Sequence, residues 1–473
     1  MLSSDYFDWS LPADQRLPLE PSVDQWQTLS SYIQQLLGEA LANLPDSEVL
    51  THRKPHALAA NDDGNMDLAA FLQSIFEPGF NPAHPGFFAY VPGGGLVTSA
   101  LAEWIIKTLN RYGTAHFASP ALGELEYQVI RMFADWLGYP EKAAGVLTTG
   151  GSLANFTAVV TARRDMLPEN FLDGVLFCSE QTHHSVMKAA NLAGFSHKNI
   201  HRVATDKAYR LDVNALEAAI IHQRDRGKTP FMVVGSAGTT NTGAIDPLAD
   251  IAALCKEYNC WFHIDAAYGG AFVITQRGKA RFQGISEADS ITLDPHKGLF
   301  LPYGTGAVLV KDRTKLIEAH EMRGEYMPDL DYSQAHLEPF SLSVELSREH
   351  RGLKVALPIM LHGLDAFVTA LDEKLDLTEL AYARLQAMPE IQTLHAPDLS
   401  TLAFRLAGDQ GDDRNRLLME TVNAGRKVYL SGTMLNEQFT PRIAILSHRT
   451  GAAQIDLFFA ELERALEEIR HTS

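Results

Sequence analysis

The sequence predicts an α/β protein with a mostly parallel central sheet, preceded by a helical segment and followed by a small α+β domain. The strongest observation is the alternation of strand-like and helix-like segments between residues 145 and 294. Glycines and polar side chains follow directly where these strands end. The chain of 473 residues, 46% of them apolar, also exceeds what one hydrophobic core usually holds, so more than one domain is expected.

Residues 1–84 are predicted to form the helical segment. Within it, residues 23–43 carry an apolar stripe at helical spacing, formed by Trp26, Leu29, Ile33, Leu36, Leu37 and Leu41. The turn-rich stretch NDDGNMD at 61–67 separates this helix from the main body. Because one amphipathic helix cannot bury its own stripe, we expect it to pack on this chain or on a second subunit.

Residues 85–370 are predicted to form the large α/β domain. After a helix at 121–137, its predicted strands alternate with helices and lie at 145–151, 174–180, 199–205, 231–238, 261–270 and 289–294. Strands that alternate with helices form βαβ units, so the sheet should be mostly parallel, with helices on both faces. Open sheets of this kind bind ligands at the carboxyl ends of their strands, which makes the residues after each strand candidates for a site.

Residues 371–473 are predicted to form the small α+β domain. Strand-like stretches lie at 400–408, 426–432 and 440–448. The stretch at 453–470 has helical periodicity.

Composition argues against several classes of partner. The net charge is −18 and no long run of basic residues is present, so nucleic acid and anionic membrane surfaces are poor candidates. The first residues, MLSSDYFDWSLPADQ, lack the features of a secretory signal, and no apolar stretch is long enough to span a membrane. Cys178, Cys255 and Cys260 are too few for a disulfide framework and have no cluster of His or Cys to complete a metal site. We therefore expect a cytoplasmic protein without a bound metal.

Lys297 follows a strand that reads as buried, in DSITLDPHKG, and a lysine is rarely buried unless something pairs with it or bonds to it. Asp265 stands in a similar place in HIDAAYGG and likewise needs a cationic or N–H partner. The segment TTGGSLANF places two glycines and Ser152 at a helix start. This arrangement suits an anion such as phosphate, and it is equally consistent with a simple helix cap.

Two further strands end in polar pairs, His183 with His184 and Thr239 with Thr240. Each pair alone is as consistent with a structural role as with a functional one. Together with the three positions above, they place a phosphate cradle, a stacking histidine, a threonine, an aspartate and a lysine at one edge of one sheet. A phosphorylated pyridine aldehyde needs those groups, because the lysine bonds the aldehyde and the aspartate pairs with the pyridinium nitrogen. The sequence therefore predicts pyridoxal 5′-phosphate as the cofactor.

At these motifs the sequence resembles the group II pyridoxal-phosphate decarboxylases of fold type I, the family of aromatic-L-amino-acid and glutamate decarboxylases. The resemblance extends from about Leu17 to the final helix. The segments that carry it are HPGFFAYVPGGG, SPALGELE, TTGGSLANFTAVVTAR, HHSVMKAA, SAGTTNTGAIDP, HIDAAYGG and DPHKG. It implies a fold type I large domain with a seven-stranded sheet and a homodimer whose active site lies at the interface.

The resemblance also implies roles around the pyridine ring. Lys297 would bond the cofactor's aldehyde, and Asp265, which precedes it by 297 − 265 = 32 residues, would pair with the ring nitrogen. His183 would stack on one face of the ring, and Ala267 would pack on the other.

Five further positions match cofactor contacts of the family. Gly151 and Ser152 match the phosphate-binding turn, with Asp294 and His296 close by. Thr240 matches a threonine near the aspartate that pairs with the ring.

A loop tyrosine is expected to return a proton to the substrate after carbon dioxide departs. Tyr326, which follows Lys297 by 326 − 297 = 29 residues, aligns with the family's loop tyrosine. Tyr332 is a competing candidate, and either tyrosine could instead be a surface anchor.

The sequence departs from the aromatic decarboxylases in two places. In LSREHRGLKVAL, Arg348, Arg351 and Lys354 hold matching positions, whereas Glu349 and His350 do not. The three glycines at 93–95 replace larger residues, and they either open the pocket or shape a turn.

The predicted reaction is decarboxylation of an L-amino acid to the amine. An aromatic substrate is favoured if Phe87, Phe88 and Tyr90 form an apolar front wall, although these residues could equally belong to the core. Acidic or diamino acids, such as glutamate, aspartate or 2,4-diaminobutyrate, are alternative substrates. An aminotransferase is the alternative reaction, in which Arg442 would hold the substrate carboxylate unless it is a surface residue of an edge strand.

Overall fold

The computed structural model describes residues 18–51, 68, 72, 79–114, 116–321, 338–408 and 411–471. Within these ranges the first helix is α1, Val23–Asn43, whose first turn is closed by a capping box between Ser22 and Gln25. No residue of α1 is buried, so its apolar stripe lies on the surface. Two short strands, β1 (Leu50–Thr51) and β2 (Gly79–Phe80), then pair antiparallel.

A seven-stranded sheet forms the centre of the molecule. Its strands are β3 Ala144–Thr148, β4 Gly174–Ser179, β5 Ile200–Val203, β6 Thr229–Ser236, β7 Trp261–Ala266, β8 Ser290–Leu293 and β9 Gly306–Val310. Their spatial order is β3-β9-β8-β7-β6-β4-β5. The pairs from β8 to β5 are parallel, and only β9 runs antiparallel to its neighbours, β3 and β8. The prediction of a mostly parallel sheet is confirmed.

Helices cover both faces of this sheet. They are α2 Val97–Leu109, α3 Pro120–Trp136, α4 Gly151–Met166, α5 His184–Leu192, α6 Val213–Asp225, α7 Leu248–Glu257, α8 Gln276–Arg281, α9 Pro295–Gly298 and α10 Arg313–His320. Successive strand side chains point to opposite faces, so Val233 packs in one apolar core while Met232 and Val234 pack in the other. Two covered faces are what βαβ units produce.

The small domain is a four-stranded antiparallel sheet packed on helices. Helix α11, Gly352–His362, leads into it and packs on α2 and α3 of the large domain. The elements of the small domain are α12 Leu364–Gln386, β10 Ile391–Thr393, β11 Thr401–Leu406, α13 Gly411–Ala424, β12 Ser431–Leu435, β13 Gln438–Ala444 and α14 Ala452–His471. The strand order is β10-β11-β13-β12. Phe404 of β11, Ile443 of β13 and Phe458 of α14 share one core, which gives this domain an interior of its own.

Helices α11 and α12 meet at a sharp corner. In the described part of the chain no single helix is long and apolar enough to cross a membrane. The two helices together meet those criteria of length and composition, but they lie at 90° to each other.

The predicted domain boundaries at 84/85 and 370/371 stay predictions, and α12 runs across the second.

Five strands differ from the prediction. Strands β1 and β2 lie in the segment that was predicted to be helical. Strand β9 was not predicted, because the glycine- and proline-rich turn before it leaves a run of only five residues, Gly306–Val310. Strand β10, of three residues, is also new. The strand predicted at 426–432 is displaced to β12, which begins at Ser431. Arg426 has a positive φ of 57°, which interrupts an extended backbone there.

Candidate active site

The carboxyl ends of the parallel strands open into a cavity of about 370 Å³. This volume lies within the range of roughly 300–1,000 Å³ that is usual for small-molecule sites. All of the residues predicted to bind the cofactor line it, namely Gly151, Ser152, His183, Thr240, Asp265, Ala267, Asp294, His296 and Lys297. The other lining residues are Thr149, Gly150, Leu153, Asn155, Ser185, Ser236, Gly238, Thr239 and Tyr268. The fold thus brings the predicted site together, while the role of each residue stays a prediction.

Lys297 lies on α9, directly after β8, and is paired with a carboxylate. Its Nζ atom lies 3.0 Å from Oδ2 of Asp294, and the Nε2 atom of His296 lies 3.7 Å from the same oxygen. Burial lowers the pKa of His296, against the opposing charge of Asp294. The other carboxylate oxygen, Oδ1 of Asp294, is buried and has no hydrogen-bond partner among the described residues. This oxygen lies on the side of Gly306, while Oδ2 is the oxygen near Gly151 and Lys297.

Asp265 stands near the end of β7 and presents a carboxylate with both oxygens hydrogen-bonded. Oδ2 accepts a bond of 3.0 Å from Nδ2 of Asn155, and Oδ1 accepts one of 3.1 Å from the backbone N–H of Ala267. The residue is 8% exposed. A negative charge is therefore held in place at the floor of the cavity.

His183 precedes α5 and caps its first turn. Its Nδ1 atom accepts a bond of 3.3 Å from the backbone N–H of Ser185 and lies 2.7 Å from Oγ of the same serine. Burial lowers the pKa of His183, and the positive charge of Lys297 acts in the same direction, while Asp265 opposes both. A neutral imidazole with a fixed ring plane suits stacking on an aromatic ligand. The ring of His184 lies 4.1 Å from that of His183, measured between centroids.

The turn between β3 and α4, predicted to bind phosphate, forms one end of the cavity. The first turn of a helix has N–H groups without intrahelical acceptors, and Gly151 and Ser152 at this turn both line the cavity. A Cβ atom on Gly151 would lie 2.9 Å from Oδ2 of Asp294 and 3.2 Å from Cβ of Ala267. Only glycine lets the helix start this close to those neighbours.

These residues fit pyridoxal 5′-phosphate. Lys297 offers an amine for the aldehyde, and the ionised Asp265 offers a partner for the ring nitrogen. The helix start at Gly151 suits the phosphate, and neutral His183 suits the ring face. The four groups border one cavity.

The three glycines at 93–95 belong to the front loop, residues 84–96. They shape a turn and do not enlarge the cavity. A Cβ atom on Gly93 would lie 2.0 Å from the backbone oxygen of His296, and one on Gly94 would lie 2.5 Å from Oγ of Ser447. Gly94 and Gly95 have φ values of +82° and +72°, which favour glycine. None of the three is among the residues that line the cavity.

The predicted aromatic front wall is wrong, because none of its three members, Phe87, Phe88 and Tyr90, lines the cavity. Phe87 and Phe88 are 1% and 0% exposed and do not line the cavity. Phe88 packs in the core of the small domain, and its backbone bonds to that of Tyr429. Tyr90 is exposed. The two phenylalanines therefore attach the front loop to the small domain.

Arg442 is a buried residue of an interior strand, so its interpretation as a surface residue of an edge strand is wrong. Strand β13 lies between β11 and β12, and Arg442 is 3% exposed. Its guanidinium donates to Oγ of Ser431 at 3.1 Å and to the backbone oxygen of Tyr90 at 2.8 Å. It does not line the cavity, so the carboxylate-binding role is not supported.

The segment that departs from the family pattern is held by buried ion pairs. Arg348 pairs with Glu126 of α3, and the Nη1 atom of Arg351 lies 2.7 Å from Oε2 of Glu345. Lys354 pairs with Glu349 at 3.1 Å. None of these residues lines the cavity, so this segment supports the fold next to the site.

Asn155, which lines the cavity, and His263, which contacts Asn155, were not predicted. Asn155 lies four residues after Gly151, on the same face of α4, and His263 lies two residues before Asp265, on the same face of β7. These spacings were the available signal for both. Tyr326 and Tyr332 lie outside the described residues.

Comparisons with known proteins agree with this site. The family model for the pyridoxal-dependent decarboxylase conserved domain matches residues 48–407. The chain is 32% identical over 446 residues to an aromatic-L-amino-acid decarboxylase of Bacillus atrophaeus, a match that covers 93% of each chain. It is 30% identical over 396 residues to an L-2,4-diaminobutyrate decarboxylase of Rhizobium meliloti (strain 1021), covering 80% of each.

The fold agrees with that of solved structures. The crystal structure of Oryza sativa TDC with PLP and tryptamine superposes with a TM-score of 0.89, covering 96% of this chain and 99% of that one at 22% identity. This confirms the fold type I architecture. Every residue that lines the cavity lies within the matched family region. The chain therefore belongs to the pyridoxal-dependent decarboxylase family and is an amino-acid decarboxylase that uses pyridoxal 5′-phosphate.

Proposed function

We propose that this enzyme decarboxylates an aromatic L-amino acid to the amine and carbon dioxide. The observation that carries the proposal is the charge of the cavity. Among the described lining residues there is no arginine, and the carboxylates of Asp265 and Asp294 bond to protein donors. A charged side chain would find no ready counter-charge, whereas a neutral aromatic one needs none. The Bacillus atrophaeus relative, an aromatic-L-amino-acid decarboxylase, supports this choice.

A diamino acid is the second candidate substrate. The cavity is lined by two carboxylates, Asp265 and Asp294, which give a second ammonium group a more favourable field than a second carboxylate would meet. The Rhizobium meliloti relative carries the name of such a decarboxylase. An acidic substrate has less support, because the described lining offers no arginine for its side-chain carboxylate.

The residues of the cavity have separate tasks in this proposal. Pyridoxal phosphate supplies, when bound, an electron sink for the electrons of the broken Cα–carboxylate bond. Asp265 keeps a proton on the ring nitrogen by placing a negative charge beside it. His183 covers a ring face and keeps water from it. Lys297 would supply the amine that holds the cofactor.

Tyr326 is proposed to deliver the proton that replaces the departing carboxylate on Cα. The support is its position in the sequence, 29 residues after Lys297 (326 − 297), which matches the family's loop tyrosine. Tyr332 is the alternative donor. A tyrosine hydroxyl is a suitable general acid for this proton transfer.

The test is release of carbon dioxide from a panel of L-amino acids by the purified enzyme with added cofactor. Lys297→Ala is the blank, and Lys188→Ala, a change of an exposed lysine on α5, is the matched control. Release from tryptophan, tyrosine, phenylalanine or dihydroxyphenylalanine is expected. Release from 2,4-diaminobutyrate alone would reject the aromatic proposal and favour the second candidate.

A homodimer with its active site at the interface is also proposed. Helix α2 exposes Val97, Leu101, Ile105 and Leu109 at intervals of four residues, which gives one apolar stripe, and α1 has no buried residue. Exposed apolar stripes of this kind are typical of subunit contacts. Leu101→Glu is expected to be a monomer in light scattering and to have reduced activity in the decarboxylation assay. Leu192→Glu, an isolated exposed leucine, is the control, and an unchanged dimer in Leu101→Glu would reject the proposed surface.

A cytoplasmic location stays a proposal. It is supported by the three cysteines, all of which are free and buried. Fractionation of cells that express the protein tests it, and recovery outside the cytoplasm would contradict it.

A further inference from the structure

A buried amide joins two of the groups that border the cavity. The Nδ2 atom of Asn155 donates to Oδ2 of Asp265 at 3.0 Å and to Oγ of Ser185 at 2.9 Å. Ser185 in turn lies 2.7 Å from Nδ1 of His183, again through Oγ. One side chain, only 1% exposed, therefore contacts Asp265 directly and His183 through a single hydroxyl.

The other side of the amide is held by a second set of buried groups. Oδ1 of Asn155 accepts a bond of 2.7 Å from Oγ1 of Thr292 and lies 3.1 Å from Nε2 of His263. Nδ1 of His263 lies 2.8 Å from Oγ of Ser290, which accepts a bond of 2.8 Å from the indole N–H of Trp261. Thr292, His263, Ser290 and Trp261 are each at most 1% exposed, so water does not compete for these bonds.

Chemistry fixes the direction of this chain of bonds. The amide oxygen Oδ1 of Asn155 only accepts, so in its contact of 3.1 Å the proton is on Nε2 of His263, and Ser290, which accepts from the indole N–H of Trp261, can donate to Nδ1. Burial lowers the pKa of His263 to about 4, so the imidazole is neutral at pH 7 and its one proton is on Nε2. That proton points to Oδ1 of Asn155. The amide is thereby turned so that both of its N–H bonds point to Asp265 and Ser185, and every group has a partner.

We propose that Asn155 is a positioning residue of the active site, which orients the Asp265 carboxylate toward the place of the cofactor's ring nitrogen. An ionised carboxylate accepts and cannot donate, so it needs an N–H donor at this place. The network behind the amide keeps that donor from rotating away. This inference concerns the cofactor and holds whichever amino acid is the substrate.

The decisive comparison is Asn155→Asp with Asn155→Ala. Aspartate has the shape of asparagine and keeps an acceptor for Thr292 and His263, but it places a second carboxylate beside Asp265. If Asn155 only filled space, Asn155→Asp would be the milder change. If it supplies a donor to Asp265, Asn155→Asp is the more severe change, because two adjacent carboxylates cannot both stay ionised.

The measurement is the dissociation constant of pyridoxal phosphate for the apoprotein, followed by the absorbance spectrum of the bound cofactor. We expect binding to weaken about tenfold in Asn155→Ala and about a hundredfold in Asn155→Asp. Thr157→Val is the matched control, since Thr157 is buried on the same helix and its hydroxyl bonds to the backbone oxygen of Leu153 at 3.0 Å. The control should bind within about twofold of the wild type.

Two results would overturn the proposal. One is the reverse order, with Asn155→Asp binding the cofactor better than Asn155→Ala. The other is an Asn155→Ala protein that binds the cofactor as tightly as Thr157→Val does, a comparison that holds even if Asn155→Asp fails to fold. Thermal unfolding of each apoprotein separates a loss of cofactor affinity from a general loss of stability.

Discussion

Gly93 and His296 approach each other so closely that a Cβ atom on Gly93 would lie 2.0 Å from the backbone oxygen of His296 and 3.2 Å from that of Lys297. The front loop thus rests on the short helix that carries the lysine. The position of Lys297 depends on a residue more than 200 positions earlier in the chain (297 − 93 = 204).

We expect Gly93→Ala to weaken cofactor binding, because a methyl group there must displace the backbone of the Lys297 turn. Overpacking of this kind costs about 1–3 kcal/mol. Gly95→Ala is the matched control in the same loop, since nothing lies within 4 Å of the added atom, although its φ of +72° costs about 1–2 kcal/mol of stability. Cofactor titration of both apoproteins checks this, and equal affinities would contradict it.

We expect stability to fall as the pH drops from about 6.5 to 4, partly because of His263. Burial lowers its pKa from the ordinary 6.5 to about 4. The unfolded chain therefore takes up this proton at a higher pH than the folded chain does. The stability that the neutral ring contributes is complete above pH 6.5 and is lost through this window, by about 3 kcal/mol at most.

Urea unfolding at pH 7.5 and pH 5 measures this dependence. His263→Gln should show a smaller difference between the two pH values than the wild type shows. His197→Gln, which changes an exposed histidine, should leave the difference unchanged. A His263→Gln protein with the full wild-type difference would show that other groups cause it.

Breaking the buried pair of Arg348 and Glu126 should be among the most destabilising single changes next to the site. Their side chains are 0% and 5% exposed, so Glu126→Ala leaves a buried charge without compensation. The expected loss is about 3–5 kcal/mol. Asp173→Ala removes one partner of the more exposed pair with Lys228 and should cost at most about 1 kcal/mol. Denaturant midpoints of the two variants compare them, and equal losses would refute the argument.

Tyr326→Phe should slow amine formation by roughly 10²-fold or more, the usual contribution of a positioned proton donor. Tyr332→Phe should stay close to the wild type. Chromatographic assay of the amine measures both. A large loss in Tyr332→Phe alone would assign the proton to Tyr332.

Much of the large domain could be predicted because its strands are buried on both faces and therefore read as apolar runs. Trp261–Ala266 and Ser290–Leu293 are wholly buried and were predicted within a few residues. Strand β9 could not be separated from the glycine-rich turn that precedes it. Its pairing with β3 and β8 is a long-range fact that no local pattern contains.

The site could be predicted where a residue is chemically unusual for its place, as Lys297 and Asp265 are. Asn155 was not predicted, because an asparagine within a helix is unremarkable until its neighbours in space are known. The prediction that Phe87 and Phe88 line the pocket was wrong for the opposite reason. Aromatic residues beside a glycine-rich loop suit a pocket wall as well as a core, and the structure places both in the interior.

The antiparallel strand β9 has a consequence for the synthesis of the protein. Gly306 at its start sits against Gly150 and Asp294, where a Cβ atom would lie 2.6 Å from the carbonyl carbon of one and 2.7 Å from Oδ1 of the other. Strand β9 therefore joins the turn at Gly150 to the turn at Asp294, and the ribosome synthesises β9 after both turns. Contacts this distant in sequence also form slowly. A nascent chain that ends before residue 306 therefore contains every residue that lines the cavity but lacks the strand that joins the two turns.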